Sequence, residues 1–266
     1  MTGGWKDRES NESAQPFVTL GPAMTRCVLE LNKAPIQSGC MPLGPIAAAI
    51  KDKFQFEVPD AFNALEARNA FSWDPARREE LIKLFNVSGP HYLFLFTCEW
   101  FQPDEIRDFE FPEFVEPLPP VSQFVPFAHD GCGNEWCWWT EKATERGVPV
   151  VLCAHDSYDG EQHAPDFASF LFEKAVLHAV VISSNAEPDK VEECRETLRR
   201  FVADLAFLWP DDWTETLHEI AQAPMKTWLW GGLSETGLLN DDGFQRIMAA
   251  KLNYRSFGKS FRWIVR

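Results

Sequence analysis

The chain has 266 residues and no uninterrupted apolar run of about 18, so no membrane-spanning helix is expected. Met1–Ala14 is polar and charged and lacks the apolar stretch of a secretory leader, which places the expected protein in the cytoplasm. The seven cysteines (Cys27, Cys40, Cys98, Cys132, Cys137, Cys153 and Cys194) are odd in number and contain no Cys-x-x-Cys pair. They read as reduced thiols rather than a disulfide framework. No Gly-x-Ser-x-Gly, His-Glu-x-x-His or phosphate-cradling glycine loop is present, so no nucleophile, zinc helix or nucleotide site is announced by motif. Internal repeats and coiled-coil heptads are also missing.

Basic residues are scarce: 25 Lys and Arg stand against 40 Asp and Glu, a net charge of −15. Six of the basic residues lie between Gly243 and Arg266, which holds no acid, so the preceding residues carry −21. An acidic body disfavours nucleic acid and anionic membrane as direct ligands and suits a basic protein partner, although acidity also serves solubility. Hydrophobic residues make up 45% and aromatics 14%, the composition of a packed globular protein rather than a disordered one.

The most informative stretch runs from Phe124 to Trp139, FVPFAHDGCGNEWCWW. An apolar run enters a turn of Asp130, Gly131, Gly133 and Asn134, and an aromatic run leaves it. Gly and Asn accept the positive φ of a tight reversal, so this is a strand–turn–strand unit. Val148–Cys153 offers a third strand, followed by a loop through Asp156, Asp159 and Glu161, and a helix is expected from Ala164 to Val181. The order of these elements, with the run GVPVVLCAHDSYDGEQHAPDFASFLFE, resembles the SUKH superfamily, which includes regulators of fungal glucan synthesis and bacterial immunity proteins. The resemblance covers roughly Leu43 to Leu177. Asn86-Val87-Ser88-Gly89 stands where many members carry Asn-Gly-Gly, and Cys132 replaces a usual Gly.

Elsewhere, helices are expected at Pro45–Phe54 and Pro59–Phe71, each with Pro in its first turn, and from Asp74, with Leu81, Ile82, Leu84 and Phe85 as its buried face. Further helices are expected at Pro188–Phe207, Asp211–Gln222 and Asp241–Leu252, the last capped by Asp241 or Asp242. Phe17–Leu20, Thr25–Leu31, His91–Thr97, Met225–Trp230 and Phe257–Val265 read as strands. The expected fold is α+β: a central, mostly antiparallel twisted sheet flanked by helices on one side, with a helical C-terminal extension. Residues 1–41 form a tail with short strands, 42–208 the core, and 209–266 an extension packed on it.

Phe101–Pro120 is acidic and aromatic, and its five prolines forbid a long helix. It reads as an extended partner-binding arm or as a connecting loop pinned by its Phe residues. On the first reading Asp104, Glu105, Asp108, Glu110 and Glu113 supply charge, Phe109 and Phe111 supply anchors, and Asp156, Asp159 and Glu161 form a second set. A zinc site from His129, Cys132, Cys137, Cys153 and His155 lacks ligand spacing, because neighbouring strand positions point to opposite faces. The repeated Ala-His-Asp at 128–130 and 154–156, with His163, lacks a carboxylate placed to orient either His. Asp130 reads instead as a turn residue bonding backbone amides, and His178 as a core histidine. No metal, cofactor or catalytic residue is therefore assigned. The resemblance implies a non-catalytic immunity protein that binds and neutralises a cognate bacterial toxin domain, often a nuclease in this superfamily, and the acidic body points to a basic one. A cytoplasmic regulatory or scaffolding module is the second reading and a metal-dependent enzyme the third.

Overall fold

Alternation along Glu135–Trp139 decides the architecture. Trp136 and Trp138 point to one face of the sheet and join the large core, while Cys137 and Trp139 point to the other. The computed structural model describes residues 42–68, 70–71, 98–110, 123–157, 159–180, 188–230 and 233–263. All of them lie in the unit Pro35–Arg266. The strands expected at Phe17–Leu20, Thr25–Leu31 and His91–Thr97 and the helix expected from Asp74 lie outside the described residues, as do Phe111 and Glu113.

The elements in chain order are α1 (Pro45–Phe54), α2 (Asp60–Ala67), β1 (Glu99–Trp100), α3 (Pro103–Asp108), β2 (Phe124–His129), β3 (Glu135–Trp139), β4 (Val150–Cys153), β5 (Asp159–Ala164), α4 (Phe167–His178), α5 (Pro188–Leu205), α6 (Asp211–Gln222), β6 (Lys226–Trp230), β7 (Leu233–Gly237), α7 (Asp241–Lys251) and β8 (Ser260–Arg262). The six-stranded sheet has the order β1-β2-β3-β4-β5-β8, with every described pairing antiparallel; β6 and β7 form a separate hairpin. The chain is α+β, as expected.

Two bulges aim side chains at the helical layer. The β2–β3 register shifts between Pro126 and Ala128, leaving Phe127 as the extra residue. Its ring meets Trp138 at 4.4 Å, Phe167 at 5.6 Å and Phe170 at 5.7 Å. The β4–β5 register shifts at Val150/Val151, so His163 is the extra residue on β5. Beneath this face α4 is buried almost all round, from Phe167 through Val176, with Ala168 half-buried. Each fully buried Phe contributes about 1.5–3 kcal/mol, and each favourable ring pair about 0.5–1.5 kcal/mol more. The opposite face of the sheet holds a smaller cluster: Phe124, Cys137, Val151, Cys153 and Trp263, with Trp139 and Phe261 packed on it.

Several expectations are corrected. Asp159–Ala164 is a strand rather than a loop, because β4 and β8 take its backbone bonds on both sides. Ala164 therefore ends β5, and the helix starts at Phe167, where Asp166 caps it by accepting a bond from Ser169 N at 2.7 Å. The cap of α7 is Asn240, which accepts from Gly243 N at 3.0 Å, and not Asp241 or Asp242. Met225–Trp230 begins one residue later and has a partner strand, β7, that the sequence reading missed. The terminal strand shortens to Ser260–Arg262 and completes the main sheet by pairing with β5, so residues past 209 supply a strand to that sheet as well as helices.

Candidate protein-docking surface

The acidic segment after Phe101 begins as a helix, which corrects the extended arm. Pro103 sits in its first turn, where a missing N–H costs nothing, and a capping box forms between Gln102 and Glu105. Gln102 N donates to Glu105 Oε2 at 2.6 Å. Glu105 thus spends its carboxylate on the helix terminus. Asp104 pairs with Arg107, while Asp108 and Glu110 are exposed. The buried Ile106 and half-buried Phe109 fasten the helix; the Phe109 ring lies 5.5 Å from Phe101 and 6.5 Å from Phe54. At the other end Lys53 Nζ donates to the carbonyls of Arg107 and Phe109, satisfying groups the helix leaves open. Phe109 is thereby engaged with the chain's own core.

The second acidic set stands elsewhere. Asp156, Asp159 and Glu161 are all exposed, Asp156 in the turn after β4 and the others on β5. Arg262 Nε lies 3.9 Å from Asp159 Oδ1. β2, β3 and β4 separate β1, which leads into α3, from β5, a span of about 19 Å at ~4.8 Å per strand. The two sets do not form one patch.

Between them lies a polar row that the sequence reading did not assemble. The register aligns Glu99 with His129, His129 with Glu135 and Glu135 with Cys153. His129 Nε2 is 3.7 Å from Glu99 Oε2. Burial, with a smaller push from nearby Asp130, raises the Glu135 carboxyl to about 8, so it is protonated at neutral pH. Its Oε2 is buried without a hydrogen-bond partner. The available signal was the hairpin itself, since residues flanking a tight turn must face each other across it.

The turn is built by Asp130. Its Oδ1 accepts from Cys132 N at 2.8 Å and Asn134 N at 3.0 Å, and its Oδ2 accepts from Asn134 Nδ2 at 2.6 Å. Gly131 and Gly133 hold φ of +76° and +95°. Asn134 Oδ1 also accepts from His155 N at 3.0 Å, tying the turn to the loop after β4.

Two other polar groups are interior. His163 Nδ1 meets Glu173 Oε1 at 2.8 Å, and Lys174 Nζ reaches the same oxygen at 3.4 Å while lying 4.0 Å over the Trp136 ring. His178 is pushed down to about 4 by burial, partly opposed by Glu193, and so stays neutral. Cys137 and Cys153 face the smaller core, and burial with the contact between them raises the Cys137 thiol, leaving it unreactive. Among the described residues no group of three or more His, Cys, Asp and Glu side chains is placed to hold a metal ion. No helix among the described residues is long and apolar enough to cross a membrane.

Comparison with known proteins gives no family: no family model matches the chain, and no curated protein or solved structure matches it.

Proposed function

We propose that this is a non-catalytic immunity protein of the SUKH type, which binds a basic toxin domain and blocks it. The observation that carries the reading is the fixed acidic helix α3. Asp104, Asp108 and Glu110 are exposed on a segment held by Ile106, Phe109 and the Lys53 contacts, so the charges are set in place before a partner arrives. Preorganised charge speeds encounter and limits the ordering cost of association. A net charge of −15 favours a basic target, and a nuclease is the toxin class whose phosphate-binding face would accept such a surface.

The test is a rescue-and-binding experiment with the C-terminal domain of a large secreted protein encoded beside this gene. Expected results are rescue of the poisoned cell and a one-to-one complex that weakens as salt rises. A protein that neither rescues nor binds would instead be placed with the regulatory and scaffolding modules, its acidity serving solubility.

A further inference from the structure

The edge of the main sheet is closed by the chain's own basic segment. β8 pairs with β5 in the register Asp159↔Arg262, Gly160↔Phe261 and Glu161↔Ser260. Gln162 N donates to Lys259 O at 3.1 Å, and Gly258 N donates to Gln162 O at 2.8 Å. Phe261 lies over Gly160, where a Cβ would come within 2.6 Å of the ring and 2.7 Å of Leu152 O. The same ring stacks on Trp139 at 4.5 Å and on Phe124 at 5.7 Å. Trp263 is 2% exposed, and its indole N–H donates to Ser157 O at 3.1 Å. Outside these sockets the charges are complementary: Lys259 and Arg262 on the occupant, Asp159 and Glu161 on the receiving strand, all exposed.

These features make a receptor for a strand. The backbone ladder gives affinity, the Gly160–Trp139–Phe124 socket selects an aromatic side chain, and two carboxylates select basic neighbours. The resident occupant is short. β8 has three residues against the six of β5, and its ion pair is long and exposed to solvent. A competing strand of the same chemistry would take the same register against Asp159, Gly160 and Glu161 and repeat these contacts.

We propose that the β5 edge is a strand-docking site, held at rest by the C-terminal strand, and that a basic, aromatic-bearing strand of the protein partner exchanges with it. This deepens the reading of a basic protein partner and rests on that reading for the partner's identity, though not for the groove. Tethering gives the resident strand an effective concentration on the order of millimolar, so the exchange is gated until a competing strand makes stronger contacts in the same register.

The probe is a labelled synthetic peptide with the sequence of Arg255–Arg266, measured against the full chain. Wild-type protein should bind it weakly. The Phe261→Ala/Trp263→Ala variant, with a cooperative melt as the folding control, should bind it at least about tenfold more tightly. Adding Gly160→Val to that variant should abolish capture, and a peptide with Lys and Arg replaced by Glu should not bind. Equal binding by wild type and variant, or capture that survives Gly160→Val, overturns the proposal. Wild-type hydrogen exchange gives a readout that needs no substitution. The β5–β8 amides should exchange at least about tenfold faster than those of β3–β4, and equal protection overturns the exchange step. Toxin neutralisation separates the two readings. Neutralisation without peptide capture removes the docking edge and leaves the immunity function; capture without toxin binding does the reverse.

Discussion

His163 Nδ1 lies 2.8 Å from Glu173 Oε1, inside the interface between the sheet and α4. Lys174, the next residue, shares that oxygen, and the two α4 side chains are only 2% and 4% exposed. Burial pushes the Glu173 carboxyl up, but Lys174 and His163 together outweigh it and hold it below the ordinary carboxylate range. A carboxyl lowered on folding stabilises above its unfolded pKa, and that contribution is lost as pH falls through the folded value. Removing one partner strands a buried charge, so Glu173→Gln should cost about 3–5 kcal/mol in urea unfolding at pH 7 and flatten the acid limb of stability. Glu173→Leu with Lys174→Met should be neutral or stabilising. A loss in the double variant as large as in the single one would show that the pair is more than a tolerated cost.

Glu135 titrates with the opposite sign. Its carboxyl is raised to about 8, so the folded state holds a proton that the unfolded state has released. Stability should therefore fall as pH rises from the ordinary carboxylate range through about 8, and level off above it. Glu135→Gln should remove that slope and be more stable than wild type at alkaline pH, measured by denaturant unfolding on both sides of the transition.

Association should respond to the outer face of α3. Asp104→Lys, Asp108→Lys and Glu110→Lys together should slow binding of a basic toxin about tenfold at low salt and weaken its salt dependence. Glu105 is left alone because it caps the helix. An unchanged association rate would remove α3 from the interface.

The start of α1 has no cap of its own. Glu66 supplies one from α2, accepting from Ile46 N at 2.6 Å and Ala47 N at 3.1 Å. A Cβ on Gly44 would stand 2.1 Å from that carboxyl carbon. Glu66→Ala should cost about 1–2 kcal/mol, and Gly44→Ala should cost a similar amount by displacing the carboxylate. In a double-mutant cycle the two losses should not add; full additivity would mean that Gly44 matters for another reason.

Local chemistry was legible in the sequence and long-range pairing was not. The Asp130–Asn134 turn and the strands around it follow from residues within a few positions of each other. Asp159-Gly160-Glu161-Gln162-His163-Ala164 shows no apolar alternation, because its socket is a missing side chain and its bulge breaks the period. β7 hides in the same way behind Ser234, Glu235 and Thr236. Asp104, Asp108 and Glu110 are exposed, as a run of charge between aromatics suggests, whereas Glu99 and Glu135 are aligned with His129 only by strand register, which no local pattern announces.

The closure of the sheet edge also sets an order of events. Trp263 reaches back 106 residues to Ser157, whereas the β2–β3 hairpin closes over a handful. Loop closure must be met before such a distant contact returns anything, so the hairpin and α4 are expected to form before the β5 seam, an order that pulsed hydrogen exchange would test. Until that seam closes, β5 is an unpaired edge, so substitutions that slow its closure should raise the fraction lost to aggregation during refolding.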